Sequence, residues 1–229
     1  MQLDPNAPPL NPLPPVVWAL ALPLIAMELA LTLAERGLVG GPQAIGWRLQ
    51  AVERFAMFPK LLRQNVEVSS YPVADLMRLV SYPLVHGNFT HALFAGVILL
   101  ALGKMVAEIF RWWGVLIVVF GASAAGALAY SFLVPDVSAP LIGAYPAVYG
   151  LIGAFTYLLW TNLVHTGANK YRAFSMIGFL LFAQLLVGVL FGGNWDWVAD
   201  IAGFAAGFVL SFVVSPGGLG RVIKQIRQR

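Results

Sequence analysis

Apolar runs separated by short polar turns make up most of the chain. Val16 to Leu33, His91–Ala107, Trp112–Leu133, Leu141–Val164, Ala173–Leu190 and Trp195–Val214 are each mainly apolar and poor in charge. Each approaches the ~20 residues an α-helix needs to cross the hydrocarbon core of a bilayer. Between the first two runs lies a mixed stretch, residues 34–88, that contains ten charged side chains. Within it, Trp47 to Phe58 spaces its apolar groups three and four apart with charges between them. That pattern predicts an amphipathic helix lying in the membrane interface. Residues 1–15 form a Pro-rich leader without a positive n-region, which argues against a cleaved signal peptide. The pattern therefore predicts an all-α membrane protein. Six transmembrane helices occupy residues 16–214, with an interfacial first loop over 34–88 and a basic tail over 215–229.

Composition narrows the class further. Charged residues make up 10% of the chain and hydrophobic ones 59%, with a mean hydropathy of +0.79. A soluble domain carries about 25% charged residues, so lipid must cover much of this surface. With no cysteine in the sequence, a disulfide scaffold is excluded and the redox compartment stays open. The net charge of +4 is concentrated at one end, in Arg221, Lys224, Arg227 and Arg229. A short cationic tail after a span reads as an anchor at acidic headgroups, not as a nucleic-acid surface. Lys104 and Arg111 in the second turn and Lys170 and Arg172 in the fourth mark the cytoplasmic side, whereas the alternate turns carry Asp136 and Asp196. By the positive-inside rule both termini are cytoplasmic, in what is expected to be a bacterial inner (plasma) membrane.

Small residues supply the expected helix contacts: Gly121, Ala125 and Ala129 in span three, Gly150 and Ala154 in span four, Gly203 and Gly207 in span six. Such spacing lets helix backbones approach closely in lipid. Two acids fall within spans. Glu28 in span one either snorkels toward the outer interface or meets another protein's helix, and Asp200 in span six is expected to bond the Tyr145 phenol. His86 and His91 are five apart and share no helical face, so they make a poor metal pair and no metal or cofactor is expected. Their expected work is to hydrogen-bond the first loop to span two. Ser123, mid-span in span three, reads as a small packing residue.

Three segments near the outer ends of spans belong together: Arg78 to Ala95 through His86 and His91, Gly143-Ala-Tyr145-Pro146-Ala-Val-Tyr149-Gly150, and Val198-Ala-Asp200-Ile-Ala-Gly203 through Gly207. Over about Trp47 to Val214 this arrangement resembles the rhomboid family of intramembrane serine proteases. The family pattern has two histidines and an asparagine in span two, Gly-x-Ser-Gly opening span four, and Ala-His before small residues in span six. The resemblance aligns His86 and His91 with the two histidines and Ala95 with the asparagine. Tyr145 and Pro146 stand at the serine and the glycine after it. Tyr149 matches a tyrosine often found under the catalytic histidine, Asp200 stands at that histidine, and Gly203 and Gly207 match the close-packing glycines.

Acyl transfer needs an activated hydroxyl, a base that takes and returns its proton, and donors to the oxyanion. An aspartate titrates near 3.9 and a tyrosine near 10, so moving the phenol proton to the carboxylate costs ~8 kcal/mol before burial acts. Phenolate would also leave the tetrahedral intermediate more readily than the amine. Ala95 donates nothing to an oxyanion. The expectation is a pseudoprotease, a non-proteolytic rhomboid-like protein that binds transmembrane helices of another membrane protein or complex. Quality control, assembly and an accessory-subunit role all fit, and the alternative is an active peptidase with atypical residues. The oligomeric state is left open.

Overall fold

Prolines set where several of the helices begin. The computed structural model describes residues 12–135, 138–191 and 195–216. Most of the Pro-rich leader (residues 1–11), Asp136 and the basic tail from residue 217, with its four cationic side chains, lie outside the described residues. Those described are helical apart from turns and an isolated β-bridge. Helix α1 (Pro15–Glu35) opens on proline, whose missing N–H would have had no partner in a first turn. The first loop folds into three short helices, α2 (Trp47–Phe55), α3 (Pro59–Glu67) and α4 (Val73–Ser81). The bundle continues with α5 (Phe89–Ala107), α6 (Trp112–Leu133), α7 (Tyr145–His165), α8 (Ser175–Phe191) and α9 (Asp196–Val214).

Helices α1, α5, α6, α7 and α9 are long and apolar enough to cross a membrane. Helix α8, with 17 residues and no charged side chain, is slightly shorter and supplies the sixth span. The chain is an integral, multi-pass, all-α membrane protein.

Two boundaries differ from the expectation for a physical reason. The interfacial helix stops at Phe55, because Pro59 opens the next helix and disfavours helical geometry in the residue before it, Phe58, which is extended. Span four starts at Tyr145, not Leu141. Leu141 pairs its backbone with Met57 through bonds of 2.9 and 3.1 Å, and Gly143 has φ +92°, a left-handed conformation that cannot continue a helix. Tyr145 and Pro146 are then the first two helical residues, where proline removes no helix bond.

Helix α7 forms the centre, with 56% of its apolar stretch buried inside the protein, and α5, α6 and α9 pack around it. Its contact with α9 is backbone against backbone: a methyl on Gly203 would run into the Pro146 carbonyl, one on Gly207 into Gly150, and one on Gly153 into Phe204. The close face of α6 is rotated from the expected Gly121, Ala125 and Ala129. Ala122, Ser123, Gly126, Ala127 and Tyr130 are the buried positions, although Gly121 does meet Leu210 of α9. Ser123 donates its hydroxyl to Val119 of its own helix at 2.8 Å, a common way to settle a hydroxyl inside a membrane helix.

Polar ties bind the loop to the bundle. Arg63 caps the end of α6 by donating to the carbonyls of Ser131 (2.6 Å) and Val134 (2.9 Å), and Tyr82 reaches inward to the Ser123 carbonyl at 2.9 Å. The largest tie corrects both readings of Glu28, which neither snorkels nor waits for another protein. It is buried against Arg48 of α2, whose guanidinium donates to both carboxylate oxygens at 3.0 and 2.9 Å. The same guanidinium reaches Glu35 at 2.5 and 3.0 Å and the His86 carbonyl at 2.6 Å. Thr32 adds a bond to Glu28 at 2.8 Å.

Two outcomes check this packing. Gly207→Val is expected to lower unfolding stability in mixed micelles by at least about 2 kcal/mol, because the obstruction is backbone and cannot turn aside. Arg48→Met leaves a buried carboxylate unpaired and is expected to cost ~3–5 kcal/mol, most of it regained in the double variant with Glu28→Met. Denaturant titration followed by tryptophan fluorescence measures both.

Candidate functional site

The segment Tyr82 to Asn88 enters α5 beneath the loop helices, and its position is set by backbone bonds. Gly143 donates its N–H to the Tyr82 carbonyl at 3.2 Å, and Ala144 donates its N–H to Nε2 of His86 at 3.2 Å. His86 thus holds the loop to the entrance of α7 and not to span two, which corrects the expected role. An imidazole nitrogen that accepts a hydrogen bond must be unprotonated, so the ring is neutral with its proton on Nδ1. Burial favours the same form and pushes the group down to about 4, with nearby His91 and Arg48 adding to the effect and Glu28 opposing it. Tyr82, also buried, is held well above the ordinary phenol range by burial and then by Asp200, so it remains a donor.

His91 lies in the first turn of α5, where Asn88 accepts from its backbone N–H at 2.9 Å. Its ring fits against Gly143, where an added methyl would come within 2.9 Å of Nε2. The rings of His86 and His91 meet edge to face with centroids 5.1 Å apart, and on its other side His91 stacks on Tyr145 at 5.1 Å, 16° from parallel. Tyr145 is half-buried at the start of α7, one turn above buried Tyr149. Ala95, one turn below His91 on α5, is fully buried and offers only a methyl.

On α9, Asp200 is buried one turn below Asp196. Asp200 sits at the level of the first turn of α7, because Gly203, three residues on, packs against Pro146. Its hydrogen bond comes from elsewhere than expected: Nε2 of Gln184 on α8 donates to Oδ2 at 2.8 Å. The Asp200 carboxylate therefore joins α9 to α8, in place of the bond to Tyr145 read from the sequence.

The structure brings His86, His91, Tyr145, Tyr149 and Asp200 to the N-terminal ends of α5, α7 and α9. Pro146, Gly150, Gly203 and Gly207 form the backbone contact that holds the last two helices together. Gln184, Gly143 and Arg48 belong to the same region and were not singled out by the sequence. Gln184 carried a usable signal, a lone amide in an otherwise apolar span. Among the described residues no group of three or more His, Asp or Glu side chains gathers to hold a metal. An apolar cavity of about 100 Å³ is lined in part by Pro23, Leu24, Val80, Leu99, Val119 and Ala147, and by none of these polar groups.

Residues 73–217 match the family described as Rhomboid domain. The chain is 31% identical over 139 residues to RHOMBOID-like protein 5 of Arabidopsis thaliana, and 33% identical over 144 residues to RHOMBOID-like protein 4 of the same plant. Each match covers 60% of this chain but 43% and 34% of those proteins, so the chain spans less than half the length of the curated relatives it matches.

The neutral His86 has a pH signature. Its folded value lies below its unfolded one, so between about 6.5 and about 4 the unfolded chain takes up the proton first and stability falls as pH falls. The stabilisation is complete above pH 6.5, and a shift of this size corresponds to about 3 kcal/mol. Thermal unfolding in detergent from pH 7.5 to 4 should show a loss that is clearly smaller in His86→Gln.

Proposed function

The chain belongs to the rhomboid family, and on that premise we propose that it is a non-proteolytic member that binds transmembrane helices of other membrane proteins. The observation that carries this reading is the Tyr145 ring stacked on His91, at the position where the resemblance expects the nucleophilic serine. A phenol has no base to activate it here. Asp200 stands where the family pattern has histidine and is engaged by Gln184, and a carboxylate is too weak a base for a phenol. Ala95 donates nothing to an oxyanion, and losing one such donor lowers rates about 10²–10³-fold.

What remains is a helix-packing scaffold with polar groups at its outer end, suited to holding a helix without cutting it. Assembly, quality control and an accessory role in a larger membrane complex all use this property. The reading keeps both termini cytoplasmic in a plasma membrane of bacterial type, supported by Lys104, Arg111, Lys170 and Arg172 in the turns on that side.

Purification in mild detergent followed by mass spectrometry is expected to return a discrete membrane partner in reproducible ratio. A fluorophosphonate probe should leave the protein unlabelled, and a model single-span substrate should stay intact. Cleavage that disappears in Tyr145→Phe would overturn the reading in favour of an atypical peptidase, and a strictly solitary protein would overturn helix binding.

A further inference from the structure

Among the described residues, helix α8 is joined to the bundle by apolar packing near its start and by a hydrogen bond farther along. On its cytoplasmic half Ile177 is buried in the main core, with Met176, Leu180 and Leu181 packed against it. Farther out, Phe182 and Leu186 face the lipid, and the hydrogen bond to α9 is the one from Gln184 to Asp200. Among the described residues, the backbone of α8 makes an extended close approach only to the turn Lys170–Phe174 before it.

The chemistry at this tie is unbalanced. Asp200 is an acid inside a span, with Asp196 one turn away on the same helical face. Gln184 uses its amide N–H on Asp200, while its own Oε1 is buried without a hydrogen-bond partner among the described residues. Asp200 and Gln184 together therefore hold more acceptor oxygens than the one amide group between them supplies with donors. Burying acceptors without donors is costly in lipid, and an acid there is normally matched by a basic or amide group.

Resting on the helix-binding reading above, we propose that this protein selects partner helices carrying a basic side chain, which replaces or joins Gln184 on Asp200. A Lys ammonium brings three donors and the missing positive charge, enough for the Asp200 carboxylate and the Gln184 oxygen together. Asp200 lies four residues into α9, ~6 Å from its outer end at 1.5 Å per residue. The matching Lys or Arg of the partner lies at the same depth, one to two turns below the outer membrane surface. An all-leucine helix lacks that contact and binds more weakly.

The test uses the full-length protein in lipid nanodiscs and two labelled single-span peptides. One is a polyleucine helix; the other is identical except for one lysine five residues from its outer end. Binding is read by energy transfer. The lysine peptide is expected to bind at least tenfold more tightly, and Asp200→Asn is expected to abolish the difference between the two peptides. Gln184→Leu, which frees the carboxylate without removing it, should preserve or enlarge the preference. This variant keeps the test decisive should Asp200→Asn fold poorly. Equal binding of the two peptides, a preference that survives Asp200→Asn, or a preference lost in Gln184→Leu would overturn basic selectivity and leave helix binding standing. Failure to bind either peptide would remove the helix-binding reading and this inference with it.

Discussion

The direct contact between the backbones of α7 and α9 decides the rest of this structure. Gly150 and Gly153 on one helix and Gly203 and Gly207 on the other leave no room for a side chain between them. In lipid, where apolar side chains gain little by leaving their surroundings, such close fit is the main source of helix association. Gly126 brings α6 to the same point, since a methyl there would approach Pro146 and the Ala199 carbonyl within 3.0 Å. Three helices thus converge at one level, just below the first residues of α7 and α9. Tyr145, Tyr149 and Asp200 are grouped because of that convergence.

A second constraint acts from outside the bundle. Arg48 draws Glu28 and Glu35 of α1 and the carbonyl of His86 onto one guanidinium, and His86 passes the restraint to Ala144 at the entrance of α7. The bonds to Glu28 and Glu35 hold Arg48 firmly in its charged form. Buried ion pairs recover about what their desolvation costs, so their main effect is to specify geometry. Here they fix the loop helices over α1 and place the His86 ring where only its neutral form fits.

Together the two constraints gather the polar groups at the N-terminal ends of α5, α7 and α9. Tyr145 covers His91, and Gln184 covers Asp200. On the proposed reading such a site serves recognition, with Gln184 on α8 as the polar partner that a bound helix exchanges. Family and fold supply the scaffold, and the particular side chains on it decide what it does. That separation explains how one bundle carries peptide cleavage in some proteins and, on the reading proposed here, helix binding in this one.

Much of the architecture follows from order along the chain alone. Membrane spans are legible because a bilayer demands length and apolarity from each helix separately, and prolines such as Pro15, Pro59 and Pro146 mark starts whatever the neighbours do. The grouping of His91, Tyr145 and Asp200 was legible only through resemblance, since spacing by itself relates residues within one helix. Tertiary structure alone decided which partner each polar side chain chose. Glu28 and Arg48 are 20 residues apart and Gln184 and Asp200 are 16 apart, on different helices in each case. Their pairing depends on how those helices rotate and cross, which one-dimensional periodicity does not contain. The rotation of α6 that buries Gly126 in place of Ala125 has the same origin: every face of that helix is apolar, so only its neighbours could choose which one turned inward.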